Sequence, residues 1–240
     1  MEELLRIARG SPLTMLIERH LPREGCLFEA GCGLGQYVLL FRERGRAAVG
    51  ADWSLEALRA AARAGAPVAL MDLRALAVRS GAIRTYLSLG VVEHDPAGPD
   101  AILDEAARVL PPGGVLLLSV PYWNGVRRLA APYLRHRARA AEAAGGQFYQ
   151  YAFTRRELRA LVESAGFAVQ GFHPYDPARI LRKALGRVRG PRPARGGDGP
   201  TREAAGGRRG LFRRAARALV YAAPALRLLG HMLLAVAVRR

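Results

Sequence analysis

The sequence predicts an α/β fold with a mainly parallel sheet, and three observations support this prediction. Between residues 26 and 176, short apolar runs alternate with longer segments of helical periodicity. Apolar runs of this length are typical of parallel strands that helices cover on both faces. The first run leads directly into a glycine-rich loop, FEAGCGLGQY. A loop of this kind after the first strand is typical of doubly wound sheets.

Six strands and four helices follow from this alternation. The predicted strands are 26–31, 47–52, 67–72, 85–90, 115–121 and 167–172. The predicted helices are 36–45, 54–65, 100–110 and 154–166. Ser54 is a favourable N-cap for the second helix, and Thr154 with Glu157 predicts a capping box at the start of the fourth.

Two segments interrupt the alternation. Residues 122–150 contain several aromatic side chains, which could line an acceptor pocket, form the core of a lid, or do both. Residues 188–210 are rich in Gly, Pro and Arg and have almost no apolar side chains. This composition predicts a flexible linker, so we expect the surrounding stretch 177–230 to be partly disordered.

The positive charge is concentrated at the end of the chain. The net charge is +17, but residues 1–176 contribute only +3, from 21 arginines and 18 acidic residues. Residues 177–240 contribute +14, from 16 basic and two acidic residues. A basic tail of this kind can bind nucleic acid or an anionic membrane. A coding bias towards arginine is the alternative, because the chain has 36 arginines and one lysine.

Cysteine content and hydropathy bear on the compartment. Cys26 and Cys32 are the only cysteines, too few for a disulfide framework and not at the spacing of metal ligands. The first ten residues are acidic and do not resemble a secretion signal. Near the end of the chain, the longest uncharged runs have nine and eleven residues, whereas a membrane span needs about 20. We therefore expect a cytoplasmic protein with no metal site.

The glycine loop predicts a nucleotide-like ligand. Glycine allows positive φ and close approach of the backbone to a ligand. The dinucleotide fingerprint G-x-G-x-x-G requires a third glycine where Gln36 stands, and the chain has no P-loop lysine after this loop. Both observations disfavour NAD and nucleoside triphosphates.

The order of motifs resembles that of class I S-adenosylmethionine-dependent methyltransferases. FEAGCGLG resembles their first motif, and VGADWS and ALMDL resemble the two strand ends that follow. The segment from SLGVVEHDP to LLLSVPY resembles the methyltransferase type 11 branch, which includes quinone-biosynthesis, sugar and natural-product enzymes. YAFTRRELRALVESAGFAV resembles the next helix and strand of that branch. The resemblance covers residues 25–176, which form the core of a single domain.

The resemblance implies a three-layer Rossmann-like fold. The sheet of this family has seven mainly parallel strands and closes with an antiparallel last strand. The apolar run HMLLAVAV, residues 231–238, is the remaining candidate for that strand. Residues 1–240 are then one methyltransferase domain, with 177–230 as an insertion before the final strand.

The resemblance also implies a binding site for S-adenosylmethionine. Asp52 would hold the ribose hydroxyls, while Asp72 and Leu73 would contact adenine. Either aspartate could instead only end its strand, and Glu29 is expected to organise the loop through backbone N–H groups. The implied cofactor-binding residues are Glu29, Gly31, Gly33, Asp52, Trp53, Asp72, Leu73 and Leu89. His94 could remove a proton from the acceptor or could be a structural residue of a turn.

The predicted function is transfer of a methyl group to a small-molecule, glycan-linked or lipid-linked acceptor. One alternative is a nucleic-acid-binding protein that uses the arginine-rich tail. Aromatic residues are sparse there, which disfavours nucleic acid as a partner. The other alternative is an inactive scaffold at the membrane surface. Residues 211–229 predict a basic amphipathic helix, so we also expect a peripheral contact of 177–229 with an anionic membrane.

Overall fold

A computed structural model describes residues 1–131, 151–177 and 222–240. Seven strands form one sheet in the order β3-β2-β1-β4-β5-β7-β6. The strands are β1 Leu27–Ala30, β2 Ala48–Asp52, β3 Val68–Leu70, β4 Thr85–Leu89, β5 Val115–Pro121, β6 Phe167–Tyr175 and β7 Met232–Arg239. Strand β7 is antiparallel to both of its neighbours, and every other neighbouring pair is parallel. The predicted fold class is confirmed.

Helices cover both faces of the sheet. They are α1 Glu2–Arg9, α2 Pro12–His20, α3 Gln36–Glu43, α4 Leu55–Arg63, α5 Asp100–Val109, α6 Gly125–Leu129, α7 Arg155–Ser164 and α8 Ala223–Leu229. Helices α5 and α7 pack on one face, whereas α2, α3 and α4 pack on the other. Helix α1 packs on α3, outside this second layer. A single 3-10 turn, Val92–His94, follows β4.

The central strands are apolar throughout because both of their faces are buried. In β5, Leu116 and Leu118 belong to the core on the α5 side, and Leu117 between them belongs to the core on the α3 side. All three side chains are fully buried. Burying a leucine contributes roughly 1.5–3 kcal/mol, so the sheet draws stability from both layers. This explains why the strands lack the alternation of a sheet with one solvated face.

The N-cap hydrogen bonds that the sequence predicts are present at the starts of helices α4 and α7. The Ser54 hydroxyl accepts a hydrogen bond from Ala57 N–H at 3.3 Å. At the start of α7, Thr154 Oγ1 accepts from Glu157 N–H at 3.2 Å, and the Glu157 carboxylate accepts from Thr154 N–H at 2.7 Å. The predicted capping box is therefore confirmed.

The last strand lies inside the sheet and not at its edge. β7 pairs with β5 from Val115↔Val238 to Pro121↔Met232, and it pairs with β6 on its other side. Its carbonyls and amides therefore bond to two strands that are distant in the sequence. Five consecutive residues of β7 are buried: Leu233, Leu234, Ala235, Val236 and Ala237. The end of the chain thus joins β6 to the rest of the sheet.

Several sequence predictions fall on residues outside those that the structure describes. These are the linker 188–210, most of the aromatic segment 122–150 and residues 211–221 of the expected basic helix. The described part of that helix is α8, in which Pro224 occupies the first turn, where proline is tolerated. Within the described ranges, no helix is both long and apolar enough to cross a membrane.

Candidate active site

The glycine loop passes from the end of β1 against the end of β2. Gly31 N–H and Cys32 N–H both donate to the Ala51 carbonyl, at 2.8 and 3.0 Å. Gly31 has φ +71°, and a Cβ atom added there would lie 2.4 Å from Val91 Cγ2. Only glycine fits this contact. Gly33 has φ +50°, but no atom lies within 4 Å of the place where its Cβ would be. The loop therefore packs at Gly31 and borders open space at Gly33.

Asp52 joins the loop to the end of β2. One carboxylate oxygen accepts from Gly33 N–H at 2.7 Å, and the other accepts from Ser54 N–H at 2.9 Å. The side chain is only 8% exposed, yet it borders the largest cavity described below. Each carboxylate oxygen has a second lone pair that can accept a further hydrogen bond. Asp52 can thus hold the loop and a ligand at the same time.

Glu29 lies beneath the loop. Its carboxylate accepts a hydrogen bond from Val38 N–H in helix α3 at 3.2 Å. Burial raises the pKa of Glu29 to about 8; the Val38 N–H opposes this shift, and the negative charge of Asp52 adds to it. The Glu29 carboxylate therefore caps the first turn of helix α3, which follows the loop. Burial also raises the pKa of the Cys32 thiol, to about 12, which makes it a poor nucleophile.

Two cavities meet at Gly31, and together they form a cleft across the carboxyl ends of the strands. The larger has a volume of about 810 Å³ and an apolar wall. That wall includes Trp53, Leu70, Met71, Leu73, Val91 and Ile102. The smaller, of about 500 Å³, lies on the other side of the loop. Its lining includes Glu29, Gly33, Tyr37, Leu89, Tyr175 and Met232.

All nine residues that the sequence analysis selected line this cleft. Gly31, Asp52, Trp53, Asp72, Leu73 and His94 line the larger cavity. Glu29, Gly31, Gly33 and Leu89 line the smaller one. Trp53 is 86% exposed, so its ring is accessible to a ligand. His94 ends the 3-10 turn after β4 and is also exposed.

Asp72 forms an ion pair at the rim of the larger cavity. Its two carboxylate oxygens accept from Arg74 Nε and Nη2 at 3.0 and 2.9 Å. The Arg74 guanidinium lowers the pKa of Asp72. Arg74 Nη1 also lies 3.9 Å from an oxygen of Asp95 across the rim. Arg74, which the sequence analysis did not select, therefore connects the two sides of the cavity entrance.

A comparison with protein families decides the class of this chain. Residues 5–170 match the model of a methyltransferase domain family. The chain belongs to this methyltransferase family. No curated protein sequence gives a significant match.

Solved structures with the same fold include several methyltransferases. One is an S-adenosylmethionine-dependent methyltransferase of Archaeoglobus fulgidus, 14% identical, with 99% of both chains covered and a TM-score of 0.60. Another, from Thermotoga maritima, is described as a possible histamine N-methyltransferase; it is 18% identical, with 99% and 91% covered and a TM-score of 0.59. The third is geranyl diphosphate C-methyltransferase of Streptomyces coelicolor, in complex with S-adenosylhomocysteine. It is 15% identical, with 95% and 78% covered and a TM-score of 0.61.

The cleft of this methyltransferase suits S-adenosylmethionine, in agreement with the cofactor that the sequence predicts. The cofactor has a flat base, a ribose with two hydroxyls and a charged amino-acid end. The apolar wall of the larger cavity suits the base, and Asp52 suits the hydroxyls because it has free acceptor capacity. The open space at Gly33 leaves room beside the backbone.

The structure adds a buried acid that the sequence analysis missed. Glu93 is 2% exposed, and its Oε2 has no hydrogen-bond partner among the described residues. Its Oε1 lies beside Gly90, which lines the larger cavity. Burial raises the pKa of Glu93 to about 7, against smaller opposing contributions from its own backbone N–H and from His94. Its place before His94 in GVVEHDP was the only available signal in the sequence.

A hydrogen-bonded pair of polar side chains lies on the β5–β6 side of the methyltransferase cleft. Ser119 Oγ in β5 is hydrogen-bonded to the Tyr175 hydroxyl in β6. Burial raises the pKa of Tyr175 well above its ordinary value, so this phenol stays protonated at neutral pH. Tyr175 lines the smaller cavity. No sequence motif joins these residues, because they are 56 positions apart.

Proposed function

We propose that this methyltransferase binds S-adenosylmethionine in the cleft and transfers its methyl group to a small-molecule, glycan-linked or lipid-linked acceptor. The observation that carries the proposal is the position of Asp52, where the glycine loop meets the larger cavity. A carboxylate there has spare acceptor capacity for a vicinal diol. The family membership of the chain supports methyl transfer as the reaction.

The proposed roles follow from the two cavities. Trp53 and Leu73, with the rest of the apolar wall, would hold the base. Asp52 would accept hydrogen bonds from the ribose hydroxyls, and the loop from Gly31 to Gly33 would hold the amino-acid end. The cofactor, when bound, supplies the activated methyl group, and the protein contributes binding, alignment and exclusion of water. Alignment alone can lower a barrier by roughly 7–11 kcal/mol, so a general base is helpful but not essential.

The acceptor proposal rests on the smaller cavity. Its lining combines apolar side chains, among them Leu13, Leu89 and Met232, with polar ones, among them Glu29, Gln36 and Asp176. A small or lipid-linked acceptor with both apolar and polar groups suits such a lining better than a folded protein would. The neighbours in fold are described with different acceptors, an amine in one case and an isoprenoid diphosphate in another. The fold alone therefore leaves the acceptor to be identified by experiment.

We assign removal of a proton from a hydroxyl or amine acceptor to His94. His94 lines the larger cavity, which meets the smaller one at Gly31. A histidine side chain can accept a proton from a nearby hydroxyl or amine, which suits this role. Glu93 lines neither cavity, so we assign it a supporting role through its neighbours rather than direct contact with the acceptor.

Calorimetry with S-adenosylmethionine and S-adenosylhomocysteine tests the cofactor proposal. The wild-type protein should bind both. Asp52→Ala should weaken binding by roughly 10- to 100-fold, because hydrogen bonds to a charged group contribute about 1.5–3 kcal/mol. Thermal unfolding would check that loss of the Gly33 and Ser54 bonds leaves the protein folded.

Asp72→Ala is the matched control for that substitution. Asp72 also lies in the cavity lining, but its carboxylate is exposed and paired with Arg74, so its loss should reduce affinity less. Equal affinity of wild type and Asp52→Ala would remove Asp52 from the site. Absence of binding by the wild-type protein would instead favour an inactive scaffold.

A further inference from the structure

Two short helices from distant parts of the chain form one surface. Helix α6 follows β5, and helix α8 precedes β7. A Cβ atom added at Gly125 would lie 2.6 Å from Leu228 Cδ2, so the two helices pack closely at this glycine. The buried Asn124 side chain donates to the Gly230 carbonyl at 2.7 Å. These contacts hold α6 and α8 side by side.

The surface of these two helices is apolar and basic. Leu129 is 85% exposed, the highest value among the described aliphatic side chains, and Leu228 is 53% exposed. Arg128 and Arg227 beside them are also exposed. We call Val126, Arg128, Leu129, Arg227 and Leu228 the α6–α8 surface. Adjacent exposed apolar side chains bordered by charged ones are typical of a surface that contacts a membrane or a protein.

The sequence next to this surface is basic. Residues 121–131 and 222–231 have three arginines and no Asp or Glu. Arg127 is the arginine that turns inward, donating to the Tyr122 carbonyl at 2.7 Å. Residues 178–221, which join the chain to α8, have 13 basic and two acidic residues in the sequence. The positive charge therefore continues along the chain that enters this surface.

The α6–α8 surface lies at the same edge of the sheet as the cleft. Pro121, at the end of β5, is paired with Met232, at the start of antiparallel β7. Met232 lines the smaller cavity, and Tyr175 at the end of β6 pairs with Met232 and lines it too. Helix α6 follows the end of β5, and helix α8 precedes the start of β7. A molecule held on this surface would therefore be close to the smaller cavity.

We propose that the α6–α8 surface docks on an anionic lipid membrane. The leucines enter the boundary of the headgroups, while Arg128 and Arg227 bind lipid phosphates. Near an anionic leaflet, clustered arginines add electrostatic attraction. Single-stranded nucleic acid stacks its bases on aromatic rings among the cations, and this surface presents leucines instead. The docking is independent of the proposed cofactor site, and together with it favours a lipid-linked acceptor.

Flotation of the full-length protein with vesicles tests the proposal. Vesicles of phosphatidylcholine alone would be compared with a 7:3 mixture of phosphatidylcholine and phosphatidylglycerol. The wild-type protein should bind the anionic vesicles, and high salt should weaken binding because it screens charge. Leu129→Glu combined with Leu228→Glu should lower the partition coefficient at least about tenfold, since two apolar contacts are lost and two like charges are added.

The matched control is Ile7→Glu combined with Met15→Glu. These side chains are 56% and 54% exposed on helices α1 and α2, so the control makes the same change of charge at two exposed apolar positions. It should reduce binding much less than the α6–α8 double variant does. Arg128→Gln with Arg227→Gln should reduce binding to anionic vesicles and leave S-adenosylmethionine affinity unchanged.

Three results would overturn the proposal. The wild-type protein could fail to bind anionic vesicles, or it could bind both vesicle types equally. The two glutamate double variants could also bind equally. That result would assign any membrane contact to the basic segment 178–221, or it would show that another molecule or part of the chain covers the α6–α8 surface. Cofactor calorimetry on the same variants separates each of these results from a failure of the proposed methyltransferase site.

Discussion

The two halves of the sheet are built in different ways. In the half formed by β3, β2, β1 and β4, the hydrogen bonds of the cleft carboxylates join residues that are close in sequence. Asp52 binds Gly33 across 19 positions, and Glu29 binds Val38 across nine. In the half formed by β5, β7 and β6, Ser119 bonds to Tyr175 across 56 positions and Asn124 to Gly230 across 106. The first half, which we call the local half, is encoded by local motifs. The second half depends on the end of the chain.

This difference separates the expected tasks of the two halves. The local half contains the larger cavity and the carboxylates that suit a cofactor. The other half contributes Tyr175 and Met232 to the smaller cavity and supports the α6–α8 surface. With this arrangement, a compact set of motifs can maintain the cofactor site, while changes in the long-range contacts alter the acceptor side of the cleft. Contacts of long sequence separation also form late and slowly in folding, because loop closure must come first.

Removal of residues 231–240 should have the largest effect. Strand β7 holds β6 to β5, and its loss would break hydrogen bonds on both sides and remove five buried residues. Each buried leucine alone contributes roughly 1.5–3 kcal/mol, against a net stability of about 5–15 kcal/mol for a typical domain. Circular dichroism and size-exclusion chromatography should show unfolded or aggregated protein.

Removal of Arg240 alone is the control for this truncation, because that residue lies beyond β7 and is exposed. It should leave a folded protein. If the longer truncation folded and bound S-adenosylmethionine normally, the local half would be stable without the last strand. The two halves would then differ in the sequence separation of their contacts, but the local half would not depend on the last strand for its stability.

Two glycine substitutions should separate packing from binding within the local half. Gly31→Ala forces a Cβ atom against Val91 at positive φ, which should cost roughly 2–4 kcal/mol of stability and also disturb the cofactor site. Gly33→Ala has open space for its Cβ, so only the backbone cost of roughly 1–2 kcal/mol applies. Denaturant unfolding would measure both values.

Cofactor calorimetry on the same pair provides the second comparison. Gly33→Ala should weaken S-adenosylmethionine binding more than its small loss of stability suggests, because the added methyl group enters the space that borders the ligand. Equal affinity of Gly33→Ala and wild type would show that the cofactor does not approach the loop at this position.

Much of the local half could be predicted from the sequence. All four strands of this half are present where apolar runs predict them, and helices α3 and α4 start within one residue of their expected positions. Strands β5 and β6 and helices α5 and α7 were predicted by the same local signals. Periodicity and caps act over a few residues, so one sequence contains enough information for them. The positions of Asp52, Trp53 and His94 in the cleft followed from the resemblance of the ordered motifs, because strand ends in a parallel sheet share one edge.

The other half could be predicted only in part. Residues 231–238 were assigned to a seventh strand through the family resemblance, but their place between β5 and β6 is a tertiary property. The ion pair of Arg74 with Asp72 and the bond of Ser119 to Tyr175 depend on side-chain positions that no periodicity encodes. Burial of Glu93 was also missed, since an acid beside a histidine in a turn is ordinarily solvated.

The smallest expected effect concerns the pH dependence of stability, through Glu93. Its folded-state pKa is raised from the ordinary 4.5 to about 7, so between these values the folded protein holds a proton that the unfolded chain has released. The resulting stabilisation is complete below pH 4.5 and is lost as pH rises towards 7. Glu93→Gln, which keeps the shape of the protonated acid, should remove this loss. At pH 8 the variant should be more stable than wild type, and this difference should shrink as pH falls towards 4.5.

Denaturant unfolding at pH 5, 6, 7 and 8 would measure this dependence. Some decline of stability with pH should remain in Glu93→Gln, because burial also raises the pKa of Glu29, to about 8, and acts in the same direction. Glu56→Gln, at an exposed position on α4, is the control and should follow the wild-type curve. If Glu93→Gln followed that curve as well, the Glu93 carboxyl would be ionised at neutral pH in the folded protein. It would then have gained a partner for its second oxygen, and the β4 turn would hold a fixed negative charge beside Gly90.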